Sequence, residues 1–245
     1  MLQCSKRSFP ARPGSGLGAG GDFLYRRRVN IRICSPVHGD PRGHFAVSLV
    51  ALIIRSMKEG LAVTWGVQSS SSIVNSRRAL AEEALQRGDD YLLWADADHS
   101  FPEDALLRLL SHRLDIVGIN QPRRMLPTGP TTLGLDGKLV WTTREMAEAR
   151  RVDEVAHVGF GLTLIRSEVF RRLPQPWFAT TMGADGYIDM GEDAWFSAVA
   201  RKAGVRIHCD HRLSWEASHI MELQLTNEVA AVQREEFCRA RGLAL

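Results

Sequence analysis

The chain has 245 residues, 44% hydrophobic and 24% charged, with a formal net charge of +3. This is globular composition with length for one sizeable core. The charge is uneven: residues 1–28 carry a net +5 and the remainder a net −2, which gives little ground for nucleic acid as the main substrate.

Residues 1–27 are rich in Gly, Pro, Ser and Arg without periodicity, and a disordered basic extension is expected over 1–28. This start lacks the apolar core of a signal peptide. Its Arg-rich, acid-poor character is that of a transit peptide, of a plain extension, or of a start codon placed too early. One ordered domain is expected over 29–245. Val29–Ser35 alternates and ends at Pro36, as a first strand does, and the loop Pro36-Val37-His38-Gly39-Asp40 follows. Phe45–Met57 has the length and apolarity of a buried helix, stopped at Gly60. Its stretch 45–54, broken by Ser48, is too short to span a bilayer, so no transmembrane segment is expected. Leu61–Val67 predicts a second strand and Ile73–Gln86 a helix closed by Gly88. Arg77 falls in the first turns of that helix, where it suits a phosphate or a surface salt bridge.

Tyr91–Trp94 is a short continuous apolar run, the pattern of a central strand in a parallel sheet, and it leads into Asp96 and Asp98. Ligands bind at the carboxyl ends of such strands. Paired carboxylates there suit Mg²⁺ or Mn²⁺, and these cations suit a diphosphate. Ser100 to Glu103 reads as a capping box opening a helix over 102–111, and Asp115–Asn120 as another strand. Leu133–Trp141 is expected to turn as a hairpin at Asp136-Gly137. The glycines of Val158-Gly159-Phe160-Gly161, before a strand Leu162–Arg166, predict close backbone approach. A short helix (Ser167–Leu173) and a mobile loop (Pro174–Gly191) precede a helix opened by Gly191-Glu192-Asp193. A last strand (Val205–Cys209) and an amphipathic helix (Leu223–Arg241) complete the pattern. Alternating strands and helices predict an α/β fold with a mostly parallel sheet flanked by helices. Four scattered cysteines, with no Cys-x-x-Cys pair, point to a reducing, cytoplasmic setting.

Taken in order, these segments resemble the GT-A (Rossmann-like) nucleotide-diphospho-sugar glycosyltransferases, closest to the family 2-like group, over roughly Val29 to Met221. The resemblance rests on Cys34-Ser35-Pro36-Val37-His38, Asn75-Ser76-Arg77, Leu92-Leu93-Trp94-Ala95-Asp96-Ala97-Asp98, Gly159-Phe160-Gly161, Pro176-Trp177-Phe178, Gly191-Glu192-Asp193 and a late His219. It implies transfer of a sugar from a nucleotide-diphospho-sugar donor to a glycan or other hydroxyl acceptor. Pro36, Val37 and His38 would line the base and ribose pocket, with Arg77 near the nucleotide. Asp96 would contact ribose or metal. Asp98 and His219 would hold Mn²⁺ or Mg²⁺ against the diphosphate. Asp193 would be the general base with Glu192 beside it, and Trp177 would offer a face to an acceptor sugar, its alternative being a loop anchor. A late metal-binding His is commoner in retaining enzymes and an Asp base in inverting ones, so the resemblance leaves the stereochemistry open. No Gln-x-x-Arg-Trp motif follows Asp193, which argues against a processive polysaccharide synthase.

Three other readings compete. A nucleotidyltransferase would need a Gly- and Lys-rich phosphate loop after the first strand, and Pro36–Arg42 has no Lys. A non-catalytic module of the same fold would bind a glycan or a protein. A nucleic-acid acceptor is left open by Arg123, Arg124, Arg150, Arg151, Arg171 and Arg172.

Overall fold

The computed structural model describes residues 28–222 and 226–242. The expected extension over residues 1–27 and the first residues of the expected last helix, 223–225, lie outside them. From the amino end run β1 (Asn30–Val37), α1 (Gly43–Lys58), β2 (Ala62–Ser69), α2 (Ile73–Arg87) and β3 (Tyr91–Ala95). The expected strand–helix alternation holds throughout this half. Ser72 caps α2 by accepting from the Asn75 N–H, and Gly88 ends it in the left-handed conformation (φ 74°), where no Cβ is tolerated cheaply. After β4 (His99–Ser100) and α3 (Ala105–Ser111) come β5 (Ile116–Gly118), α4 (Arg144–Glu148), β6 (Val152–Val155), β7 (Leu162–Arg166) and α5 (Ser167–Arg172). A small hairpin, β8 (Thr181–Met182) and β9 (Ile188–Met190), leads to α6 (Glu192–Lys202). The chain ends through β10 (Ile207–Asp210), α7 (His211–Glu216), β11 (Ser218–His219), α8 (Asn227–Val232) and α9 (Arg234–Arg241).

Seven strands form one sheet in the order β2-β1-β3-β7-β5-β10-β6. β1 pairs in parallel with β2 and β3, and β5 with β10, while β7 and β6 run against their neighbours. The fold is the expected α/β class with a mostly parallel sheet. Side-chain alternation along its strands sorts the apolar residues onto two faces. Cys34, Leu92 and Trp94 join a core with α2, α5 and α6, whereas Ile31, Ile33, Leu93 and Ala95 join a second core with α1 and α3.

Several expectations are corrected. Helix α3 begins at Ala105, not at a Ser100 capping box, because the Ser100 hydroxyl is paired with that of Ser218 at 2.6 Å. Helix α1 buries Phe45, Leu49, Leu52 and Ser56 but leaves Val47, Val50, Ile54 and Met57 exposed on the opposite side. The expected turn at Asp136-Gly137 is present as a short antiparallel pairing of Leu133 with Leu139, the Val140 N–H donating to the Thr132 carbonyl at 3.0 Å. The segment 174–191 is no uniform surface loop: Trp177 and Phe178 are buried at its start and the β8–β9 hairpin closes it. The last helix is interrupted at Gln233.

Candidate functional site

The site is assembled where β3 ends. Beyond Ala95 the chain turns into β4, which pairs antiparallel with β11, His219 opposite His99 and Ser218 opposite Ser100. This four-residue ladder joins segments far apart in sequence and places the His219 ring on that of His99, centroids 4.2 Å apart. Asp98 reaches the edges of both rings. Its Oδ1 is 2.9 Å from His99 Nδ1 and its Oδ2 is 3.1 Å from His219 Nε2. Burial opposes ionisation of Asp98, but the hydrogen bonds from His219 and His99 outweigh it and hold the carboxyl well below its usual range.

His219 Nδ1 is 2.9 Å from the Pro122 carbonyl. A carbonyl only accepts, so Nδ1 carries a proton and Nε2 is left facing the carboxylate, either as an imidazolium donor or as a lone pair open to a cation. Burial lowers the basicity of this ring, yet the hydrogen bonds to Asp98 and Pro122 prevail and raise it. One ligand atom each from Asp98, His99 and His219 fall within 4.8 Å of one another, the one such group of His, Cys, Asp and Glu among the described residues. His99 is 1% exposed and its Nε2 has no hydrogen-bond partner. One carboxylate and two imidazoles suit Mn²⁺ better than Mg²⁺, which prefers all-oxygen shells.

Close packing holds this cluster. A Cβ on Gly161 would lie 2.1 Å from Gln121 Oε1 and 2.3 Å from His99 Nε2, and one on Gly159 would lie 2.7 Å from Gln121 Nε2. The expected close approach at both glycines is therefore present, and Gln121 fills it, accepting from the Gly161 N–H at 2.8 Å.

Asp96 has a different fate. Arg77 is 3% exposed and faces Asp96 through Nη1–Oδ1 and Nη2–Oδ2, both 3.2 Å, while its Nε donates to Glu192 Oε1 at 2.8 Å. Its guanidinium sits 5.4 Å from the Trp94 ring centroid and 5.0 Å from that of Phe160. Burial works against this charge, but both carboxylates outweigh it and the cation is held. Arg77 is thus neither a free phosphate ligand nor a surface ion pair. It ties the first turn of α6 to the end of β3, with Glu192 as its ion-pair partner there. Next to it, Asp193 accepts from the Ala194 N–H at 2.7 Å, and its Oδ2 is 3.9 Å from His157 Nε2. His157 is buried, its Nδ1 3.2 Å from the Ser197 hydroxyl, and burial lowers its pKa against the pull of Asp193 and Glu192.

Pro36, Val37, His38, Asp96 and Asp98 line one cavity of about 440 Å³ together with Ser70, Ser71, Ser76 and Arg124. A larger cavity, about 580 Å³, lies at the amino ends of β1 and β3 beside Asp89, Tyr91 and Arg166 and holds none of these carboxylates. Trp177 stands apart: it is 8% exposed, packs edge-on against Phe170 and donates its indole N–H to the Leu173 carbonyl at 3.3 Å. It anchors the loop to the core, and its ring offers no face to a sugar. Of the six arginines that left a nucleic acid open, Arg124, Arg151, Arg171 and Arg172 are engaged with Asp98, Asp153, Glu168 and Asp115. Sequence reading missed His99, His157 and Gln121. Only His99 carried a signal, its adjacency to Asp98.

No protein-family model matches the chain, and no curated protein matches it. Solved structures are similar at low identity. One is the protein A197 from STIV, 15% identical, covering 80% of this chain and 96% of that chain with a TM-score of 0.49. Another is the catalytic domain of Drosophila beta1,4galactosyltransferase 7 in complex with xylobiose, 17% identical, covering 85% and 79%, TM-score 0.48. A mutant of the latter, in complex with manganese, UDP-Gal and xylobiose, gives the same identity and coverage with a TM-score of 0.49. At this level of likeness, function is read from the residues of the chain itself.

Proposed function

We propose that the chain transfers a sugar from a nucleotide-diphospho-sugar to an acceptor hydroxyl, dependent on a divalent cation, on a GT-A-type sheet. One observation carries this reading: Asp98 belongs both to the Asp98–His99–His219 cluster and to the wall of the cavity lined by Pro36, Val37 and His38. Asp98 and His219, with His99 beside them, would hold the cation, which would supply neutralisation of the charge developing on a leaving diphosphate. Pro36, Val37 and His38 form the wall against which base and ribose lie. Asp96, fixed by Arg77, presents a carboxylate edge to the ribose side. In the transfer step the acceptor oxygen bonds the anomeric carbon, the bond to the diphosphate breaks with its electron pair, and Asp193 takes the hydroxyl proton. His157, kept neutral by burial, stands behind Asp193.

The test is calorimetric titration of nucleoside diphosphates and nucleotide sugars, with and without Mn²⁺, against the wild type and Asp98→Ala. The expected result is binding of one nucleotide that requires Mn²⁺ and is lost in the variant, with circular dichroism unchanged. A folded protein that binds none of them, or an Asp98→Ala variant that binds as the wild type does, overturns the reading.

A further inference from the structure

Beside the two imidazoles, Asp98 meets a guanidinium. Arg124 Nη1 lies 2.7 Å from Asp98 Oδ2, the same oxygen that His219 Nε2 approaches at 3.1 Å. The Arg124 side chain is 51% exposed and lines the cavity with Asp96 and Asp98. The loop that carries it is pinned at its base and open at its tip. Pro122 bridges Pro130, the Arg123 N–H donates to the Gly129 carbonyl at 2.8 Å, and the Thr128 hydroxyl donates to the Arg123 carbonyl at 2.8 Å. The Pro122 carbonyl meets His219 Nδ1, so loop and cluster share one frame, while Met125 and Leu126 at the tip face solvent.

We propose that Arg124 is a two-position ligand: it neutralises Asp98 until a cation takes that carboxylate, and then turns to the diphosphate beside the cation. The proposal rests on the donor-site reading above. One carboxylate oxygen does not serve a guanidinium and a metal ion at full strength together, since both are cations competing for the same lone pairs. A cation binding alone must therefore displace Arg124 and leave it in water. A cation arriving with a diphosphate gives the displaced guanidinium a planar set of anionic oxygens within the same cavity, the geometry a guanidinium fork matches best. Cation and diphosphate then assist each other's binding through one side chain, and such assistance is reciprocal. The exposed stem supplies the freedom to swing, and the pinned base restricts the swing to the cavity mouth.

The test compares wild type, Arg124→Gln and Arg124→Lys by calorimetry with Mn²⁺ alone, and with UDP or GDP in saturating Mn²⁺. In Arg124→Gln, Mn²⁺ alone should bind more tightly, by about two- to fivefold, the worth of a half-exposed ion pair no longer displaced. The nucleoside diphosphate should bind more weakly by about the same factor or more. Arg124→Lys should fall between the two on both measures. Weaker Mn²⁺ binding in Arg124→Gln would make Arg124 a mere brace of the cluster and overturn the proposal, as would an unchanged diphosphate affinity. The wild-type arm separates the two ideas. If the wild type binds neither of these nor any other nucleoside diphosphate of the panel above, the donor-site reading fails. If it binds one, and Arg124→Gln binds it equally well, that reading stands and the role of Arg124 falls.

Discussion

Replacing Arg77 with Met should destabilise the protein far more than it disturbs any ligand. The guanidinium is 3% exposed, and it compensates two carboxylates that are themselves partly shielded, Asp96 at 23% and Glu192 at 14%. Removing one partner of a buried ion pair costs about 3–5 kcal/mol, chiefly because a buried charge is left alone. Water reaches both carboxylates to some degree, so the lower end, about 3 kcal/mol, applies here. Met retains apolar contact with Trp94 and Phe160, so the loss is of charge rather than of volume. For a domain of this size that corresponds to a fall in Tm of roughly 6–12 °C. Urea denaturation followed by far-ultraviolet dichroism measures it directly. Adding Glu192→Gln to Arg77→Met should recover part of the loss by removing one of the two orphaned charges. A variant within about 1 kcal/mol of the wild type, or a double variant worse than the single, would refute the buried ion-pair account. The alternative role drawn from sequence, a contact to phosphate, makes the reverse forecast of intact stability and lost nucleotide affinity.

Gly161→Ala introduces a Cβ 2.1 Å from Gln121 Oε1 and 2.3 Å from His99 Nε2. It should cost about 1–3 kcal/mol in urea denaturation and weaken Mn²⁺ binding by displacing His99; unchanged Mn²⁺ affinity would remove His99 from the cluster's function. His157 has a pKa lowered by burial, so the folded protein resists a proton that the unfolded chain accepts at about 6.5. Stability linked to this ring is complete above that value and is lost as pH falls from there through the lower folded value. Thermal unfolding between pH 8 and pH 5 should show a steeper decline in the wild type than in His157→Gln, and identical slopes would show that the ring titrates freely.

What was legible in the sequence follows from the range of each signal. The Tyr91–Ala95 run, the stop at Gly88 and the crowded glycines 159 and 161 announce themselves locally, because an apolar stretch or a missing Cβ has a meaning at its own position. Pro36, Val37, His38, Asp96 and Asp98 come together because they sit at the carboxyl ends of adjacent strands β1 and β3, and strand-end convergence follows from topology. The pairing of β4 with β11 has no local signature: two residues on each side, Ser100 with Ser218 and His99 with His219, are too few to show a period. That pairing brings a late histidine to Asp98, and only the resemblance anticipated it. Burial was the other blind spot. Trp177 and Arg77 are residue types that serve at surfaces as readily as in cores, and only the aromatic packing of Trp94, Phe160, Phe170 and Phe178 decides between them.

The Asp-x-Asp pair shows how identical side chains two residues apart acquire different chemistry. Both leave the same strand end, but Asp96 points toward α2 and α6, where Arg77 stands over Trp94 and Phe160. Its charge is taken up by a permanent cation that is itself only 3% exposed. Asp98 points toward the β4–β11 ladder, where its partners are two imidazoles and a half-exposed arginine. Of these partners the arginine is half exposed, whereas the Arg77 that holds Asp96 is buried. An ion arriving from solvent therefore competes more readily for Asp98 than for Asp96, although both line the same cavity. Arg77 also joins Asp96 to Glu192 and so sets Asp193 relative to the strand end. The contrast lies in the surroundings: a buried guanidinium stacked on Trp94 and Phe160 for Asp96, and the β4–β11 ladder with a half-exposed guanidinium for Asp98.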